Sequence, residues 1–222
     1  MRIESIILAG GLGTRLRECV PDLPKPLAPI NGAPFLDILL KQLETFPVSK
    51  IVLAVGYKAE CIQDAYKGRS LIFSVEDEPL GTGGALKKAL ALTSSEHVLA
   101  LNGDSFLDID FTAFWQQHQE TRADLTLACL SMENERYGSV SFEEDTRRIR
   151  SFTEASSWIN GGVYLMQRDL LKEFPPFFSL EKEAFPALLH KNLYGFPCKG
   201  TFIDIGTKSS FCEAQQLLRA FT

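Results

Sequence analysis

Ile3-Glu4-Ser5-Ile6-Ile7-Leu8-Ala9-Gly10-Gly11-Leu12-Gly13-Thr14-Arg15 decides how the rest of the chain is read. A short apolar run ending on glycine marks a strand buried on both faces and followed by a loop. In open α/β sheets ligands sit at the carboxyl ends of the strands, so this loop is placed for a site. Its glycines let backbone N–H groups turn inward as an anion cradle, and Arg15 adds a planar fork of donors suited to phosphate oxygens. The competing reading is a tight strand-to-helix turn without a ligand, but Gly10, Gly11 and Gly13 followed by Thr14 and Arg15 are more than a turn requires. Two familiar phosphate loops are excluded. A dinucleotide fingerprint would need glycine where Leu16 stands, and no Gly-Lys-Ser/Thr follows at the spacing of a P-loop.

Working outward, strand-like and helix-like segments alternate. Phe35, Leu36, Leu39, Leu40, Leu43 and Phe46 fall at helical spacing within 35–46, and 51–55 reads as a second buried strand closed by Gly56. A helix at 58–67, a strand at 71–75, a helix at 83–92 and a strand at 98–101 follow, the last stopped by Asn102-Gly103-Asp104. Repeated units of this kind imply a parallel sheet covered by helices on both faces. After a helix at 111–121 the pattern changes to short strands at 125–130, 138–142, 149–152 and 162–166, an antiparallel or mixed extension of the same sheet. A helix at 181–190, a strand pair ending at Phe202-Ile203-Asp204 and a helix at 209–220 complete the pass. No Ser/Gly/Pro-rich linker divides the parts. The expectation is one domain of α/β class with a mixed, mainly parallel sheet.

The composition narrows the function classes. The 222 residues suit one large domain, and 45% apolar with 23% charged residues is a globular balance. A net charge of −5 without a Lys/Arg block argues against a nucleic-acid groove, so no nucleic acid is expected as a partner. No apolar run reaches the roughly 18–20 residues that span a bilayer, and the start of the chain does not read as a signal peptide. The cysteines Cys19, Cys61, Cys129, Cys198 and Cys212 are odd in number and lack metal-ligand spacing. Reduced thiols and a cytoplasmic location, with no membrane partner, are the expectation.

Pro24-Lys25-Pro26 adds a second basic element, with prolines on both sides holding Lys25 in an extended backbone near the glycine loop. Gly10-Gly11-x-Gly13-Thr14-Arg15 together with Pro24-Lys25-Pro26-Leu27 resembles the signature of the sugar-1-phosphate nucleotidyltransferases. Further elements of that family follow in order along almost the whole chain. Glu78-Pro79-Leu80-Gly81-Thr82-Gly83-Gly84 is similar to its base-recognition segment, and Asn102-Gly103-Asp104 to its metal-binding turn. Tyr137-Gly138, Glu154 and Asn160-Gly161-Gly162 resemble its sugar-contacting elements. Phe202-Ile203-Asp204-Ile205-Gly206-Thr207 resembles its second metal-binding segment. One departure stands out: where the family commonly has a lysine after the sugar-binding glutamate, this chain has Ala155, which leaves Lys25 or Arg136 to cover the sugar phosphate.

The resemblance implies a Rossmann-like, nucleotidyltransferase/GT-A-like sheet with nucleotide held by about 1–110 and sugar by about 111–222. It implies attack of a sugar 1-phosphate oxygen on the α-phosphorus of an NTP with release of pyrophosphate. Such a nucleophile needs no general base, so the protein's task is alignment and charge neutralisation. Arg15 and Lys25 are the candidate catalytic cations. Leu8, Gly10, Gly11, Gly13, Thr14, Glu78, Gly81, Thr82, Gly83, Asn102 and Gly103 are the candidate nucleotide contacts. Tyr137, Gly138, Glu154, Asn160 and Gly161 are the candidate sugar contacts. Asp104 and Asp204 each follow an apolar strand, and parallel neighbouring strands would bring them together as ligands of Mg²⁺, the expected cofactor. Glu78 can accept the adjacent donor pair that guanine offers, and Thr82-Gly83-Gly84 can leave room for a purine. GTP is therefore the expected NTP, and the resemblance, strongest in the compact form with Asn102-Gly103-Asp104 and Ile159-Asn160-Gly161-Gly162, implies D-glycero-D-manno-heptose 1-phosphate as the acceptor, feeding bacterial surface polysaccharide. Uridylyl transfer to N-acetylmuramate 1-phosphate or another hexose 1-phosphate stays open. So do a glycosyltransferase, for which Asp108-Ile109-Asp110 is a DxD, and a non-catalytic nucleotide-sugar sensor. Asp108 and Asp110 also read as caps of the next helix. The last helix, with Phe211, Ala214, Leu217 and Leu218 on one face, can pack on the core or in a homodimer.

Overall fold

A computed structural model describes residues 3–132, 139–152 and 156–222. The opening run forms β1 (Ile3–Leu8). Ile3 and Ile7 bury into one face of the central sheet and Ile6 into the other, which is why the run is apolar without alternation. A short hairpin, β2 (Pro29–Ile30) and β3 (Ala33–Pro34), turns on Asn31 and Gly32, both at positive φ, as a two-residue primed turn demands. It leads into α1 (Phe35–Leu43), then β4 (Val48–Val55), α2 (Ala59–Ala65), β5 (Ile72–Val75) and α3 (Gly81–Leu90). β6 (His97–Asn102), β7 (Ser105–Leu107), α4 (Phe111–Glu120) and β8 (Leu125–Ser131) follow. Asp110 caps α4, its Oδ1 accepting the Thr112 and Ala113 N–H groups, so the DxD aspartate is used as a cap.

The later part adds β9 (Ser141–Phe142), β10 (Ile149–Ser151) and β11 (Trp158–Gln167). After a π-helical turn, Leu180–Ala184, come α5 (Phe185–Ala187), β12 (Leu193–Cys198), β13 (Phe202–Asp204) and α6 (Lys208–Leu217). The seven-stranded sheet runs β12-β8-β11-β6-β1-β4-β5, parallel throughout except that β11 runs against both of its neighbours. The expected mixed, mainly parallel sheet is therefore observed. Helices α1, α2, α4 and α6 pack on one face, while α3 and the segment from Phe178 to Leu188 cover the other.

Four expectations need correction. The strands expected within 138–142 and 149–152 do not extend the main sheet, because β9 and β10 pair with each other as a separate antiparallel ribbon. The helix expected over 181–190 is a π turn continued by the brief α5, because Pro186 cannot supply an N–H to a regular ladder. The strands before Asp204 are not a pair: β12 joins the main sheet beside β8, whereas β13 forms a separate antiparallel ribbon with β7. Asp104 and Asp204 accordingly meet across that ribbon, with Asp204 opposite Ser105, and not at the ends of parallel neighbours.

Candidate active site

The carboxyl ends of β1, β4, β5 and β6 enclose a cavity of about 640 Å³, within the range of small-molecule sites. Of the expected nucleotide contacts, Leu8, Gly10, Gly11, Glu78, Gly81, Thr82, Asn102 and Gly103 line it, as do Lys25, Asp104 and Asp204. Gly13, Thr14, Arg15 and Gly83 lie outside its lining, and so do Asn160 and Gly161. Arg15 stands on the exposed 3-10 turn Thr14–Leu16 where the glycine loop ends. Tyr137, Gly138, Glu154, Arg136 and Ala155 lie outside the described residues.

Lys25 opens a 3-10 turn, Lys25–Leu27, that Pro24 and Pro26 hold in place. Its side chain is 11% exposed and its Nζ donates to Asp104 Oδ2 at 2.5 Å. The Asp104 carbonyl accepts the Ile205 N–H at 2.9 Å, tying the turn after β6 to the end of β13. The Asp204 Oδ1 accepts the Gly206 N–H. Two carboxylates joined through one ribbon, with an ammonium already seated on one of them, form a donor set that fits a hard divalent cation such as Mg²⁺. Such an ion takes few protein ligands and completes its shell with water and phosphate. Among the described residues no group of three His, Cys, Asp or Glu side chains gathers to hold an ion by itself.

The cavity wall at the end of β5 contains a residue that the sequence did not single out. Glu76 directly follows β5 and is half-buried, with its Oε2 accepting the Leu80 N–H at 3.0 Å. Its Oε1 lies against Gly10 and Gly56 so closely that a Cβ on Gly10 would collide with it. Burial raises the carboxyl above its ordinary range, opposed by the Leu80 N–H and the Lys88 charge. Glu78 sits exposed in the same lining. The signal for Glu76 was present, since it terminates an apolar strand at the edge where ligands bind.

The room expected for a purine beside Gly83 and Gly84 is filled from within. The Phe178 carbonyl accepts the N–H groups of Gly83 and Gly84 at 3.0 and 3.3 Å, and the Phe178 N–H donates to Leu80 O at 3.2 Å. A Cβ on Gly83 would strike the Phe178 ring, and one on Gly84 the Pro176 carbonyl. These glycines admit a segment of the same chain. Asn160-Gly161-Gly162 forms a bulge in β11, with Gly162 at φ +74° and its N–H donating to Asn160 Oδ1 at 2.9 Å. The Asn160 Nδ2 donates to the Tyr164 hydroxyl at 3.0 Å, and Asn102 bonds the same buried hydroxyl. Asn160 is thus linked to the cavity through Tyr164 and Asn102.

A family model described as nucleotidyl transferase matches residues 4–220. The chain belongs to the nucleotidyl transferase family. It is 39% identical to D-glycero-alpha-D-manno-heptose 1-phosphate guanylyltransferase of Aneurinibacillus thermoaerophilus, covering 99% of this chain and 100% of that protein. It is 37% identical to the protein of the same name from Campylobacter jejuni, covering 94% and 97%. The crystal structure of HddC from Yersinia pseudotuberculosis complexed with GMP-PN superimposes with a TM-score of 0.84 at 33% identity, over 96% of this chain and 98% of that one. Lys25, Gly10, Gly11 and the two carboxylates Asp104 and Asp204 meet at one sheet edge. No helix among the described residues is long and apolar enough to cross a membrane.

Proposed function

We propose that this nucleotidyl transferase moves a guanylyl group from GTP to D-glycero-α-D-manno-heptose 1-phosphate, releasing pyrophosphate and forming a GDP-activated heptose. The observation that carries the reading is the end-to-end similarity to guanylyltransferases named for that acceptor. The base assignment draws further support from Glu76. Guanine presents N1–H and the N2 amino group side by side, and an ionised carboxylate offers two acceptors to such a pair. Uracil presents one such donor. In this reading Glu76 is the base acceptor and Glu78 an outer member of the same wall.

An oxygen of the sugar 1-phosphate attacks the α-phosphorus in line as the bond to the β-phosphate oxygen breaks, and pyrophosphate leaves. The acceptor phosphate is already ionised at neutral pH, so no side chain needs to take its proton. Gly10 and Gly11 bring backbone close to the phosphates, Lys25 supplies a fixed ammonium, and Arg15 serves the outer phosphates from the rim. Asp104 and Asp204 would hold Mg²⁺, which when bound neutralises phosphate charge and fixes phosphate orientation. Residues 1–110 then serve mainly the nucleotide and 111–222 mainly the sugar within one domain.

Pyrophosphate release should be measured over a grid of NTPs and sugar 1-phosphates with and without magnesium. Release requiring magnesium, GTP and the manno-configured heptose 1-phosphate is the expected result, with Asp104→Asn slower by about 10²-fold or more, the scale of losing a group that stabilises transition-state charge. Release with UTP in place of GTP would overturn the assignment of Glu76. Silence over the whole grid would overturn the transfer reaction.

A further inference from the structure

One wall of the cavity comes from a part of the chain to which the sequence reading assigned no chemistry. The segment Phe174-Pro175-Pro176-Phe177-Phe178 lies against the start of α3, with Phe174 and Phe178 stacked at 4.9 Å. It places the following π turn, closed by the Ala184 N–H donating to Ser179 O at 3.1 Å, beside Thr82. Single π turns are rare and recur at functional sites. The Thr82 hydroxyl is held from both sides: it accepts the Leu180 N–H at 2.9 Å and donates to Glu181 Oε2 at 2.9 Å. The Ser179 hydroxyl donates to that same oxygen at 3.2 Å. Glu181 is therefore pinned by one oxygen while lining the cavity, and its Oε1 accepts no hydrogen bond among the described residues.

A carboxylate with a spare acceptor repels phosphate and suits a hydroxyl donor. Two parts of the reacting pair carry hydroxyls, the ribose and the acceptor sugar. The position of Glu181 favours the second. Its charge acts on the Tyr164 hydroxyl, the group that anchors Asn160 of the β11 bulge, and Phe185 of the same segment packs on the Tyr164 ring at 5.4 Å. We propose that Glu181 Oε1 accepts a hydrogen bond from a ring or side-chain hydroxyl of the acceptor sugar, making Glu181 a determinant of acceptor specificity. This rests on the transfer reaction proposed above.

The test compares wild type with Glu181→Gln and Glu181→Ala, using GTP and a series of monodeoxy acceptor 1-phosphates. Glu181→Gln keeps an oxygen for Thr82 and serves if Glu181→Ala fails to fold. The expected result is a rise in acceptor KM of about tenfold to a hundredfold, the cost of a hydrogen bond to a charged group, with the KM for GTP changed by less than about twofold. One deoxy analogue should lose as much on wild type and then be used equally well by wild type and variant, which identifies the hydroxyl. Two outcomes overturn the assignment while leaving the transfer reaction standing. One is an equal loss for every analogue. The other is a rise in the GTP KM, with 2′- or 3′-deoxy-GTP showing the coupling. Wild type inactive with every sugar 1-phosphate would overturn both together.

Discussion

Glu76 illustrates how one side chain can serve two loops. Its Oε2 fixes the Leu80 N–H and so the approach to α3, while its Oε1 lies on the glycine loop at Gly10. Glu76→Gln keeps the volume but turns one acceptor into a donor. The kcat/KM for GTP should fall about 10- to 100-fold, the cost of an unpaired polar group against guanine, with UTP unaffected or improved. Glu78→Gln should change neither by more than about twofold if its role is the exposed wall. Pyrophosphate release with the two nucleotides decides the matter, and equal losses in both variants would count against a special place for Glu76. The cations read differently. Lys25 was legible because two prolines and a nearby glycine loop constrain it, and it does line the cavity. Arg15 was legible by the same motif, yet it stands on the exposed turn beyond the lining.

At the scale of elements, the junction between α3 and the Phe174–Phe178 segment reverses the usual sign of a substitution. Gly→Ala inside a helix ordinarily stabilises by about 0.5–1 kcal/mol. At Gly84 the added methyl would meet the Pro176 carbonyl and, at 2.9 Å, Leu80 Cβ, so Gly84→Ala should destabilise by about 1–3 kcal/mol, as overpacking does. Urea denaturation measures it, and a more stable variant would show that the contact gives way freely. The same junction shows why the sequence reading had limits. Gly81-Thr82-Gly83-Gly84 was legible as a special segment, but what fills the space comes from Phe178, and no local pattern encodes that meeting. Hydrophobic period placed β1, α1, β4, α3, β6 and β8, since each buries a regular stripe or a whole strand. It missed β7 and the β2–β3 hairpin, which have too few residues for any period, although Asn31-Gly32 was a turn signal in plain view. The Asp104–Asp204 partnership was legible by motif, whereas its antiparallel ribbon depended on the unseen β7.

Across the whole molecule, two buried groups, Glu4 and His118, make the fold sensitive to acid. Burial alone would raise the Glu4 carboxyl, but the Lys50 ammonium at 2.7 Å and the hydrogen bonds from Ser94 and Ser95 outweigh it and bring it from 4.5 to about 2. Its contribution is present above 4.5 and lost as pH falls towards 2. His118 is buried between Thr126 and His97, and burial, then the neighbouring His97, lower it from 6.5 to about 3. The unfolded chain takes up that proton first, so stability also falls as pH drops from 6.5 towards 3. Both act in the same direction. Melting temperature should be level above about pH 6.5 and decline below it, with Glu4→Gln flattening the lower part of the curve. A curve level down to pH 4 would contradict the buried neutral histidine. The ribbon of β7 and β13 has its own consequence for how the protein comes into being. A nascent chain has its glycine loop, Lys25 and Asp104 long before residues 202–204 emerge to pair with 105–107. Until then Asp104 has no Asp204 beside it, so a partly made chain lacks the carboxylate pair that the ribbon brings together.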